Sequence, residues 1–137
     1  MNEPARDRRL AYALARIGLG LNIALHGLVR LGHIGAFAAS LRTEFAPTIL
    51  PGPLVEIAGY GIVLAEACIG VLVLLAIRLR TALVGGTLLM MLLEFGTCLR
   101  QDWGAAGIQL IYLGFYAVLL ATLEYSRRPP DDAAGPP

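Results

Sequence analysis

Arg16, His26, Arg30, Glu66, Glu94 and Gln109 all stand inside long apolar stretches of this chain. An ionisable side chain in such a setting is costly, and it normally faces a partner or a cavity. At about 100° per residue, Arg16, Asn22, His26, Arg30 and His33 fall within an arc of about 120°, so one helix would carry a polar stripe. Histidine changes protonation near neutral pH, which makes His26 the natural proton carrier and Glu66 and Glu94 its acidic counterparts. These three are the candidate catalytic residues. Arg16, Arg30, Gln109 and Tyr112 are the candidate ligand-binding residues, with Gln109, Tyr112 and Tyr116 sharing one helical face. His33 lies past the end of the stretch, where water can solvate it. No metal is expected, because the His and Glu residues show neither HxxxH nor ExxH spacing. Cys68 and Cys98 form no CxxC pair and stand at different depths, so they read as small apolar residues rather than a redox couple. Nucleophile-elbow, P-loop and dinucleotide motifs are absent from the sequence.

The elements that position these residues follow from composition. Of 137 residues, 57% are hydrophobic and 15% charged, against about 25% charged in soluble domains. A mean hydropathy of +0.68 points the same way, to lipid. Four apolar runs reach the length of about 20 residues that a membrane span needs. They cover roughly residues 10–31, 54–77, 81–99 and 105–123, and lipid requires each to satisfy its own backbone as a helix. The fold class is therefore an all-α membrane protein: a four-transmembrane-helix bundle with a short interfacial amphipathic helix between spans one and two. That short helix is suggested by Phe37, Leu41 and Phe45 at four-residue spacing, stopped by Pro47 and Pro51–Pro53. It is expected to lie along the outer interface as a lid.

Arginine counts set the orientation. With the N-terminus inside, Arg6, Arg8, Arg9, Arg78, Arg80, Arg127 and Arg128 are cytoplasmic, and only Arg30, Arg42 and Arg100 lie outside. Both termini are thus expected in the cytoplasm, with residues 1–9 as a leading segment and 124–137 as a Pro-rich disordered tail. Arg16 interrupts the first apolar run, so a cleaved signal peptide is not expected. All eleven basic residues are Arg, which leaves no lysine for Schiff-base or general-base chemistry. The net charge of +1 gives no reason to expect nucleic acid as a partner. Gly20/Ala24, Gly61/Ala65, Ala82/Gly86 and Ala117/Ala121 are small-xxx-small pairs that would let helices approach closely.

Depth along each span, at about 1.5 Å per residue, predicts which charges meet. Arg16 matches Glu66, and His26 or Arg30 matches Glu94. These groups either form structural ion pairs or line an outward-facing pocket for a small polar molecule, a proton path or a quinone headgroup.

The segment Arg16-Ile-Gly-Leu-Gly20, followed by His26-Gly27-Leu-Val-Arg30-Leu31, resembles the opening of the DoxX-like family of small four-span membrane proteins. The resemblance extends through Leu50-Pro51, Glu66 with Gly70, Arg78-Leu-Arg80 and Phe95-Gly96, over roughly residues 10 to 123. It implies a bacterial inner-membrane protein linked to quinone-dependent redox chemistry of sulfur or thiol compounds, with Arg16, His26, Arg30 and Glu66 at stake. Arg30 replaces the lysine usual in the family; it keeps the charge, and with it anion or headgroup binding, but loses a tunable pKa. Three functions follow as expectations. The first is an oxidoreductase subunit with a quinone as cofactor and a small sulfur compound as partner. The second is a non-catalytic accessory or scaffold subunit of a larger membrane complex. The third, a transporter or channel, is weaker, because no inverted repeat or broken span is visible.

Overall fold

The computed structural model describes residues 3–126. Within them the chain forms α1 (Glu3–Leu31), α2 (Ile34–Glu44), α3 (Gly52–Leu74), α4 (Leu79–Leu99) and α5 (Trp103–Ala121), followed by a 3-10 turn (Leu123–Ser126). The described residues contain no strand. α1, α3, α4 and α5 are each long and apolar enough to cross a membrane, and they form an antiparallel bundle in which consecutive spans are neighbours. The chain is a multi-pass, four-helix membrane bundle. Helix α1 starts at Glu3, so most of the expected leading segment 1–9 is its first turns. Of the expected disordered tail 124–137, residues 124–126 instead belong to the 3-10 turn, whose Tyr125 packs against the core, and those from 127 onward lie outside the described residues.

The contact between α1 and α3 sets the geometry of the rest. A Cβ on Gly27 would collide with the backbone of Ala67, and one on Gly70 with the backbone of Ala24. At Gly20 it would stand 2.6 Å from the backbone nitrogen of Leu74. The two helices therefore run antiparallel at near-backbone contact, in the register 20 to 74, 24 to 70 and 27 to 67. Small residues permit this approach, and in lipid it is dispersion and close packing that reward it. Gly61, by contrast, has open space around it, and Ala117 and Ala121 are exposed. Gly86 receives the ring of Tyr116, which is fully buried.

This register has a consequence for the first crossing. α1 ends at the level of the middle of α3, and its first four turns extend roughly 20 Å past the end of α3. There Tyr12, Leu79 and Leu83 close the core, with Leu123 and Tyr125 against them. Beside the N-terminal half of α3, the place along the α1 line is taken by α2, after a turn at Gly32–His33. α2 lies lengthwise along the N-terminal half of α3: Ala38 is in contact at Gly59, Gly35 faces the Tyr60 hydroxyl, and Arg42 pairs with Glu56 at 2.9 Å. Its amphipathic pattern predicts a lid along the outer interface. Gly59 and the Arg42–Glu56 pair hold it against α3, and α1 itself, Glu3–Leu31, is one unbroken helix.

The hairpin ends are tightly made. At the end of α3 the amide of Ile77 donates to Leu72 O and that of Ala76 to Val73 O. At the end of α4 Asp102 donates to Thr97 O and Gln101 to Cys98 O. Both are Schellman turns, yet the left-handed residue is Ala76 in one and Gln101 in the other, each at φ 57°. Asp102 then caps α5 by accepting from the Ala105 amide.

Two measurements check this account. Gly27→Ala should destabilise the bundle in micelles by about 1–3 kcal/mol through overpacking, whereas Gly18→Ala, with nothing within 4 Å, should not. Gln101→Gly should raise stability by up to about 1 kcal/mol, because it removes the left-handed penalty on a residue with a Cβ. Equal effects at Gly18 and Gly27 would refute the register.

Candidate functional site

Because Gly27 meets Ala67, the next turn of α1 brings Arg30 to Glu66. The Arg30 guanidinium donates to Glu66 Oε2 at 2.6 Å, with the arginine side chain 34% exposed and the glutamate 7%. Glu66 lies about 12 Å from one end of α3 and about 21 Å from the other, near the middle of the bundle. Arg30 also stacks over Phe37 of α2, 4.8 Å from the ring centroid. The expected pairs, Arg16 with Glu66 and His26 or Arg30 with Glu94, do not form. The depth estimate places the end of α1 at the outer face, whereas the glycine register lowers it by about half a span.

Each of the other polar residues finds a different partner. Arg16 donates to the carbonyls of Val73 at 2.6 Å and Leu74 at 2.5 Å, where it satisfies the C-terminal end of α3 and opposes its dipole. His26 Nδ1 bonds the Asn22 carbonyl at 2.9 Å. A carbonyl only accepts, so Nδ1 carries the hydrogen and Nε2 is the nitrogen left open. Asn22 in turn accepts from the Tyr112 hydroxyl at 3.0 Å, which closes the bundle between α1 and α5. The side chains of Gln109 and Thr97 are hydrogen-bonded at 2.8 Å, joining α5 to α4. Glu94 accepts weakly from Cys98 at 3.7 Å, and its Oε2 is buried without a hydrogen-bond partner among the described residues.

Several of these groups border a cavity of about 600 Å³ that all five helices help to line. His26, Arg30 and Glu66 form one end of it, near mid-bundle, and Gln109 and Tyr112 face in from α5. Its walls are mainly apolar, with Phe37, Leu41, Ile62, Met90, Leu93 and Ile108 among them. At the opposite end Arg100 pairs with Glu44 of α2 and, at 2.9 Å, with Asp102, while stacking over Phe45. Of the seven sequence-derived candidates, His26, Arg30, Glu66, Gln109 and Tyr112 meet at this cavity. Arg16 and Glu94 stand apart from it. Sequence reasoning missed the Arg100–Glu44–Asp102 cluster and the Thr97 partner of Gln109. The Arg100-x-Asp102 spacing at a helix start was the available signal. No cluster of three or more potential metal ligands occurs among the described residues.

This arrangement suits an elongated, mainly apolar molecule with a polar head. The guanidinium of Arg30 has donors beyond the one engaged by Glu66, and those donors fit an acceptor oxygen. The cavity volume falls within the range of about 300–1,000 Å³ usual for small-molecule sites. Comparison of the chain with family models, curated proteins and solved structures finds no match.

Arg30→Ala should leave Glu66 as an unpaired carboxylate in the bundle and destabilise it by about 2.5–3.5 kcal/mol. Combining Arg30→Met with Glu66→Leu should recover most of that loss. Thermal unfolding in micelles reads both, and a double variant no better than the single one would show that the pair does not act as a unit.

Proposed function

We propose that this chain is a DoxX-like protein of the bacterial inner membrane, with both termini cytoplasmic and the Arg100 end outward. Its cavity receives a quinone, and the protein serves as a subunit in quinone-linked redox chemistry of sulfur or thiol compounds. The observation that carries this reading is the cavity itself: apolar walls from all five helices, with Arg30, His26 and Glu66 gathered at one end. Depth supports it. A phospholipid keeps its headgroup at the membrane surface, whereas a quinone ring on an apolar tail can place its carbonyls at mid-bundle. Arg30 then donates to one carbonyl oxygen while Glu66 holds the guanidinium in place. His26 Nε2, once it has taken up a proton from water, is the group placed to pass it to that oxygen as the quinone is reduced. Two electrons from the sulfur donor and two protons complete a quinol. The family resemblance at Arg16–Gly20 and His26–Leu31 supports the same assignment.

The test is quinone reduction by thiosulfate or a thiol with the purified protein in lipid, together with direct quinone binding. His26→Ala should retain binding and lose most turnover, by roughly the 10²–10⁴-fold contributed by general acid–base groups. Arg30→Ala should weaken binding. Quinone binding without turnover, in a protein that co-purifies with a partner enzyme, would favour the accessory-subunit reading. No quinone binding by the intact protein would sink the proposal.

A further inference from the structure

The two ends of the cavity are built differently. At the Arg100 end, one guanidinium ties the C-terminal end of α2, through Glu44, to the start of α5, through Asp102. The same guanidinium lies over the Phe45 ring at 5.4 Å from its centroid, and that ring touches α4 at Gly96. Three separate segments are thus strapped together across this end. At the other end Arg30 of α1 pairs with Glu66 of α3 and stacks over Phe37 of α2, with no ion pair to α4 or α5 among the described residues. His26 and Arg30 border the cavity, and they also border a shallow groove of about 300 Å³ on the surface of α1, completed by Asn22, Leu25 and Val29. Leu25 is 49% and Val29 70% exposed, on a helix whose outer face must meet lipid. The cavity and the membrane-facing groove therefore share the same two polar residues, and α2 makes little contact with α4 or α5 that would separate them.

We infer that the cavity is loaded sideways from the bilayer, past Val29 and Leu25 and between His26 and Arg30, while the Arg100 strap keeps the aqueous end shut. The ligand class that follows is a membrane-dissolved amphiphile, not a water-soluble solute arriving from the Arg100 end. A polar head sliding along this groove exchanges lipid for His26 and Arg30 at the moment it enters. The apolar tail follows into the walls formed by α2, α3 and α4. This inference rests on the reading of the cavity as a ligand site, but not on the ligand being a quinone.

The test places a reporter cysteine inside the cavity, Ala58→Cys, in a chain carrying Cys68→Ala and Cys98→Ala and reconstituted in lipid vesicles. Its labelling rate is measured with a long-chain N-alkylmaleimide dissolved in the bilayer and with a sulfonated, membrane-impermeant maleimide. Val29→Trp, or Leu25→Trp where the first does not fold, should slow the alkylmaleimide roughly tenfold. Arg100→Gln should leave that rate unchanged and admit the sulfonated reagent, which should otherwise label poorly. The inference is overturned if neither tryptophan slows the alkylmaleimide. Rapid labelling by the sulfonated reagent with Arg100 intact, or no labelling of the reporter by either reagent, overturns it as well. Protection of the reporter by a quinone analogue is read separately. Its absence, with the lateral route intact, would count against the quinone and not against the route.

Discussion

Gly20, Ala24 and Gly27 of α1 face Leu74, Gly70 and Ala67 of α3 at near-backbone contact, and this approach decides the height of everything attached to α1. Lipid offers no hydrophobic reward for bringing two apolar helices together, so the helices settle where dispersion contacts are densest. That position has one solution along the α1–α3 seam, because larger residues on either side would hold the backbones apart. Once it is taken, Arg30 stands beside Glu66, Arg16 stands beyond the last turn of α3, and α1 finishes halfway up the bundle. The break between α1 and α2 and the cavity beside it are consequences of that seam.

The polar groups are distributed with economy. Arg16 is consumed by carbonyls that the end of α3 cannot satisfy internally, Asn22 and Tyr112 join the first helix to the last, and Thr97 orients Gln109. Each of these bonds fastens one helix to another, while Arg30, His26 and Gln109 still keep donors or acceptors toward the cavity. A buried ion pair is by itself weak evidence of function, since its desolvation offsets much of its attraction. Its location at the end of a cavity whose walls are otherwise apolar is what gives the Arg30–Glu66 pair chemical interest.

The four spans were legible in the sequence because length and hydropathy alone identify them. The polar stripe on the first helix was legible too, since helical periodicity places Asn22, His26 and Arg30 on one face. Which acid that stripe would meet was not. Pairing depends on how far one helix slides past another, and that is decided by glycines on both partners, which a single helix does not reveal. The break at Gly32–His33 was legible as the end of the first apolar run at Leu31. That α2 would pack along α3 was not, because its seat at Gly59 lies on the partner helix. Glu94 was misplaced because its depth suggested a cation; its side chain turns toward Cys98 on its own helix.

The order of synthesis also bears on how these contacts assemble. With eleven residues, α2 is too short to span a bilayer by itself, and the surface that receives it belongs to α3, which the ribosome has not yet made when α2 emerges. Gly59 and Glu56 supply the seat of α2, and Glu66, further along the same helix, supplies the counter-ion of Arg30. The end of α1 and all of α2 therefore reach their final packing only after α3 has been threaded beside them.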